Sequence, residues 1–210
     1  MSQSSDHRPA VLVCGLGRCG TTLLMTMLDA GGFPVSGPRP SYEDARRWPR
    51  GIPDREWLRE QRGRAVKWII HGPALCAPVF DALSVPPVVI WLERDYRQQA
   101  RSQLKLVGIE QERGAERALA RSILRDTPPI RATMRRRARA IYTMGFASLV
   151  ENPSLAADFL GSIIAGHFDR SFDAETAARV VISRDPACLP HLAMEQHIAP
   201  MIAAELGRSR

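Results

Sequence analysis

Short, unbroken apolar runs recur along the chain, and each gives way abruptly to glycine, proline or charge. Pro9 to Cys14 (PAVLVC), Ala65 to Ile70 (AVKWII) and Pro87 to Leu92 (PVVIWL) are of this kind. Runs of that length bounded by turn residues predict strands, and the third predicts one buried on both faces, as in parallel sheets. Between them the apolar positions move to helical spacing. Leu23, Leu24, Met27 and Leu28 predict a helix that Gly31-Gly32 stops. Residues 34–64, rich in proline and arginine, predict loops with a short helix near Asp54–Gln61. Helices are also expected after His71-Gly72-Pro73, to about Leu83, and after Glu93-Arg94-Asp95, to about Val107. Residues 111–143 read as helical, with Thr127 and Pro128 as an N-cap and first-turn pair that splits the stretch in two. Ile141 to Val150 is the candidate for a last strand. Leu155–Ile164 predicts a helix closing near Gly166, and Asp173–Val181 predicts another, capped by Asp173. Buried strands alternating with helices imply an α/β, three-layer fold with a central parallel sheet flanked by helices. No repeat or linker interrupts the pattern. Residues 1–210 are expected to form one domain, with residues 1–8 a flexible N-terminus.

Composition adds limits. The 210 residues, 45% of them hydrophobic, suffice for one compact domain with a sizeable core. No apolar stretch approaches the roughly 20 residues of a membrane helix, and the polar N-terminus (MSQSSDHRPA) has no signal-like apolar region. The expectation is a cytoplasmic protein without a membrane span. Cys14, Cys19, Cys76 and Cys188 are scattered without a C-x-x-C pair, so reduced thiols are expected and no metal. The formal net charge is +7, and Lys67 and Lys105 are the only lysines. An arginine-rich surface suits phosphate and sulfate groups, but it does not distinguish a nucleotide from a glycan or nucleic acid.

The chemistry concentrates after the first strand. Gly15-Leu16-Gly17-Arg18-Cys19-Gly20-Thr21-Thr22 carries glycines at the spacing of a phosphate-binding loop, with a strand before it and a helix after it. Glycines let successive N–H groups turn into one concavity, and the helix N-terminus adds partial positive charge. The lysine that follows the last glycine in nucleotide triphosphatases is replaced by Thr21, which disfavours β/γ-phosphate chemistry. The cation stands instead within the loop, as Arg18.

An arginine two residues before Gly-Thr-Thr resembles the 5′-phosphosulfate loop of sulfotransferases. The resemblance covers about residues 10–165. It implies a sulfuryl donor, 3′-phosphoadenosine 5′-phosphosulfate, whose 5′-phosphate is held by Arg18, Cys19, Gly20, Thr21 and Thr22, with Arg18 supporting charge on the bridging oxygen. Arg94 after the third strand, and Ser102 eight residues on, match a pair that contacts the donor's 3′-phosphate in that family. The alternative reading has Arg94 paired with Glu93 or Asp95 and Ser102 solvated. Phe146 to Pro153 with Phe159-Leu160-Gly161 is similar to a further family stretch, lacks its acidic pair, and reads as structural.

Sulfuryl transfer needs a base for the acceptor's proton. His71-Gly72-Pro73 resembles the His-x-Pro of the family's cytosolic branch, and an unperturbed imidazole titrates near neutrality. His71 is therefore the candidate base. Glu43 and Asp44 are rivals, because other branches use a carboxylate. Three departures stand out: Lys67 lies four residues before the histidine instead of two, Leu23 replaces a tryptophan, and an Arg-Lys-Gly tripeptide is missing near the C-terminus. Arg184 is a candidate to replace part of the 3′-phosphate grip. Arg131, Arg135 and Arg139 share one face of the proposed helix, which reads as a solvated basic face, so nucleic acid is not expected. The remaining histidines show no ligand spacing. The reading is a sulfotransferase acting on a hydroxyl or amine of a small-molecule or glycan acceptor. The alternatives are a P-loop small-molecule kinase or an inactive sulfotransferase-like binding protein.

Overall fold

A computed structural model describes residues 8–44, 46–48, 54–109 and 114–182. Residues 1–7, Arg184, Cys188, His191 and His197 lie outside the described residues. Four parallel strands form the sheet: β1 (Val11–Gly15), β2 (Ala65–Ile69), β3 (Val88–Glu93) and β4 (Ala140–Gly145), in the order β2-β1-β3-β4. β1 and β3, the two central strands, are the continuously apolar runs, as burial on both faces requires.

Helices cover both faces. Residues of α2 (Arg55–Arg59), α3 (Cys76–Ala82), α4 (Tyr96–Leu106) and α5 (Ala115–Arg137) pack with Leu12, Cys14, Trp68, Val89 and Trp91 on one side. On the other, α1 (Thr21–Ala30), α6 (Phe146–Glu151), α7 (Pro153–Phe168) and α8 (Ala174–Ile182) enclose Val11, Val13, Ile90 and Leu92. The alternation of side chains across each strand thus divides one sheet between two cores. The α/β three-layer expectation holds. Asp54, Asp95 and Asp173 cap α2, α4 and α8, each accepting a hydrogen bond from the backbone N–H three residues on, at 2.9 Å. Among the described residues, no helix is long and apolar enough to cross a membrane.

The sequence pattern misreads residues 111–153 in three places. α5 runs unbroken through Pro128 and Pro129, and Thr127 caps nothing: its hydroxyl donates to the Ile123 carbonyl at 2.8 Å. The prolines deprive the Leu124 and Arg125 carbonyls of their helical partners. Both residues are exposed, so water can serve those groups while Ile123, Ile130 and Met134 keep the helix on the core. The helical reading to residue 143 also fails, because Ala140 already begins β4 beside β3. The strand expected to reach Val150 stops at Gly145, where α6 starts. By contrast, α7 closes near Gly166 as expected: it ends at Phe168, and Asp169 behind it takes the left-handed conformation.

Candidate active site

The strand order sets the location of the site. The chain leaves β1 toward β2 on one side and returns to β3 on the other. Loops leaving the carboxyl ends of β1 and β3 therefore diverge, and crevices of this kind hold ligands in open α/β sheets. The glycine-rich loop follows β1, and Arg94 follows β3.

Close packing shapes the loop. A Cβ on Gly15 would collide with Cys19 Sγ and lie 2.8 Å from the Leu92 carbonyl oxygen. Gly20 adopts φ 103°, and a Cβ there would lie 2.6 Å from the Phe146 ring. Arg18 also has a positive φ, 67°. These turns end at α1, whose N-cap Gly20 offers no side-chain cap and whose first turn carries no acidic residue. The helix opens with its N–H groups and partial positive charge available to an anion. Gly20→Ala should destabilise the fold by about 1–3 kcal/mol through backbone strain alone, with the ring contact adding to it, as denaturant unfolding will measure.

α4 secures the loop from beneath. The Gln99 side-chain amide donates to the carbonyls of Leu16 and, at 2.8 Å, Gly17; Gln103 donates to the Gly17 carbonyl at 2.7 Å. Both glutamines are buried. Sequence reasoning missed this pair, whose legible signal was two glutamines four residues apart beside the apolar Ala100 and Leu104.

The predicted anchors converge although they are distant in the chain. Arg18 Nε donates to Ser102 Oγ at 3.1 Å, and Arg94 Nη1 donates to the Arg18 carbonyl at 3.3 Å. Arg94 does not pair with its acidic neighbours. Glu93 is held by Arg131 and by Trp91 Nε1, while Asp95 caps α4. Arg94 lies instead over the Phe146 ring, 4.5 Å from its centroid, and its Nε is buried without a hydrogen-bond acceptor. Burial, and then the positive charge of Arg18, lower the Arg94 pKa. Two cations are thus held together where an anion would relieve both. Phe146, read from the sequence as structural, lies beside Gly20 and beneath Arg94 and so touches both halves of the site. Arg131, expected on a solvated face, is likewise committed, bonding Glu93 and, at 3.1 Å, Thr143 Oγ1.

The other candidates surround the loop. Thr21 is buried at the start of α1, and Thr22 Oγ1 accepts from Lys67 Nζ at 2.6 Å. His71 leaves the carboxyl end of β2, directly after Ile70, whose N–H donates to the Gly15 carbonyl at 3.0 Å. It is half-buried beside the loop's first residue. Glu43 is enclosed in an ion pair with Lys67, 2.6 Å apart, and Asp44 Oδ1 accepts from the Arg46 N–H at 3.0 Å.

Among solved structures, the chain resembles a sulfotransferase, STF9, from Mycobacterium avium. The likeness has a TM-score of 0.52 and covers 97% of this chain and 77% of that one, at 15% identity. The fold is sulfotransferase-like. No protein-family model and no curated protein sequence matches the chain. At that identity the likeness speaks for architecture, and the chemistry of the site has to be argued from its own residues.

Proposed function

We propose that this chain is a sulfotransferase that takes a sulfuryl group from 3′-phosphoadenosine 5′-phosphosulfate to a hydroxyl or amine of a small-molecule or glycan acceptor. The observation that carries the reading is the convergence of Arg18, Arg94 and Ser102 at the uncapped N-terminus of α1. The buried, unsatisfied Nε of Arg94 fits an anionic ligand, as does an α1 N-terminus without a side-chain cap. The donor supplies an activated sulfuryl group on its 5′-phosphate.

In this reading the backbone N–H groups from Arg18 to Thr22, with the Thr21 and Thr22 hydroxyls, hold the 5′-phosphate. Arg94 and Ser102 take the 3′-phosphate. His71 accepts the acceptor's proton as the acceptor oxygen or nitrogen bonds to sulfur. The bond from sulfur to the bridging oxygen breaks, and its electron pair stays on the 5′-phosphate, where Arg18 offsets the growing charge. The products are the sulfated acceptor and 3′-phosphoadenosine 5′-phosphate.

The test is a comparison of nucleotides. In thermal-shift measurements 3′-phosphoadenosine 5′-phosphate should stabilise the protein well beyond AMP, ADP or ATP with magnesium. Arg94→Ala should weaken bisphosphate binding by about 1.5–3 kcal/mol, the range for a charge-assisted contact, with a much smaller loss for AMP. Equal shifts for all the nucleotides would remove the two-anchor reading. Preference for ATP with magnesium would favour a kinase.

A further inference from the structure

Beneath the loop lies a charged pair that the proposed reaction leaves unused. Lys67 sits mid-strand in β2, opposite Val13, and its side chain and that of Glu43 are both fully enclosed. Its ammonium donates to Thr22 Oγ1 at 2.6 Å and to the Ser41 carbonyl at 3.2 Å, and it forms an ion pair with Glu43 Oε1 at 2.6 Å. Burying such a pair brings little net stability, since desolvation offsets the attraction, and apolar side chains of similar size commonly serve as well. What the pair does provide is geometry. It ties three separate segments to one point: the first turn of α1, residues 41–43, and β2.

The chemistry at Thr22 has a direction. An ammonium only donates, so Thr22 Oγ1 must accept from Lys67, and the Thr22 hydroxyl hydrogen is left to donate elsewhere. Thr22 is the second residue of α1, at the end of the helix where its backbone N–H groups are open. We infer that Lys67 and Glu43 are positioning residues: together they make the Thr22 hydroxyl an obligate donor toward an anion at the α1 N-terminus and hold residues 41–43 against the loop. The inference rests on the proposed nucleotide site for the anion's identity. It assigns Glu43 to holding Lys67, not to taking the acceptor's proton.

The test is a double-mutant cycle read by calorimetry with 3′-phosphoadenosine 5′-phosphate. Thr22→Val and Lys67→Met should each weaken binding about tenfold or more, the scale of one hydrogen bond to a charged group. The double variant should lose no more than the weaker-binding single variant, because both changes act through one hydroxyl. Losses that multiply, or an unchanged affinity in Lys67→Met, overturn the inference, since a purely structural pair has no reason to couple to Thr22. Glu43→Gln keeps the size of the side chain and provides the same cycle if Lys67→Met does not fold. If the wild-type protein binds no bisphosphate, the nucleotide reading fails on its own. Backbone amide resonances then decide the positioning claim. Either variant should move those of Gly20 to Leu23 more than those of distant helices, and unmoved resonances there would refute it.

Discussion

His71→Ala is expected to lower turnover by about 10²–10⁴, the range for losing a positioned proton acceptor, while leaving affinity for 3′-phosphoadenosine 5′-phosphate nearly unchanged. The asymmetry follows from position. His71 departs from β2, on the opposite side of β1 from β3, whereas Arg94 and Ser102 follow β3. A side chain on that flank can meet the acceptor without holding the nucleotide's second phosphate. An acceptor must first be found, by screening hydroxyl and amine compounds with labelled donor. Near-normal turnover in a folded His71→Ala variant would transfer the role of base to a carboxylate. Asp44 would then be the first to test, since the Glu43 carboxylate is enclosed against Lys67. Lost bisphosphate binding would mark His71 as a residue of the donor site.

Arg18→Ala should lower turnover by about 10²–10³, the scale for removing one preorganised electrostatic donor, and it should also loosen bisphosphate binding. Both effects are expected because, in the proposed reading, the same guanidinium faces the phosphate before and during transfer. Alanine at position 18 is a fair probe of charge. Arginine already occupies a positive φ with a Cβ, so the substitution adds no new backbone strain. It does release Ser102, whose hydroxyl accepts from Arg18 Nε. Ser102→Ala is therefore the control: it should reproduce part of the binding loss and little of the turnover loss. If the two variants lose turnover equally, Arg18 acts by arranging the second anchor and not by supporting the leaving oxygen.

Much of the candidate site could be read before the fold. The loop between Gly15 and Thr22 is a local object, since glycine spacing, a preceding strand and a following helix lie within about twenty residues. The strands were legible because continuous apolar runs have few alternatives in a chain with no membrane-length stretch. Errors gathered where local signals conflict with distant contacts. Pro128 and Pro129 signal a helix start, yet burial of Ile123, Ile130 and Met134 on the sheet carries one helix across them. Ala140 to Gly145 follow a long helix without a strong break, and pairing with β3 makes them a strand.

The sequence by itself determined the α/β alternation, a glycine-rich loop between the first strand and its helix, and a cation within that loop in place of one after it. Periodicity and turn chemistry act between near neighbours, so a linear reading captures them. Only the tertiary structure decided what each charged side chain does. Glu93 was taken by Arg131, thirty-eight residues away, which left Arg94 to reach the loop. Lys67 met Thr22 across forty-five residues and Glu43 across a separate segment, and two glutamines of α4 closed the loop's carbonyls from more than eighty residues away. A charge or amide with several acceptors nearby in sequence takes the one that burial and strand order bring within reach. That choice is made in three dimensions, by the cost of leaving any of these groups buried without a partner.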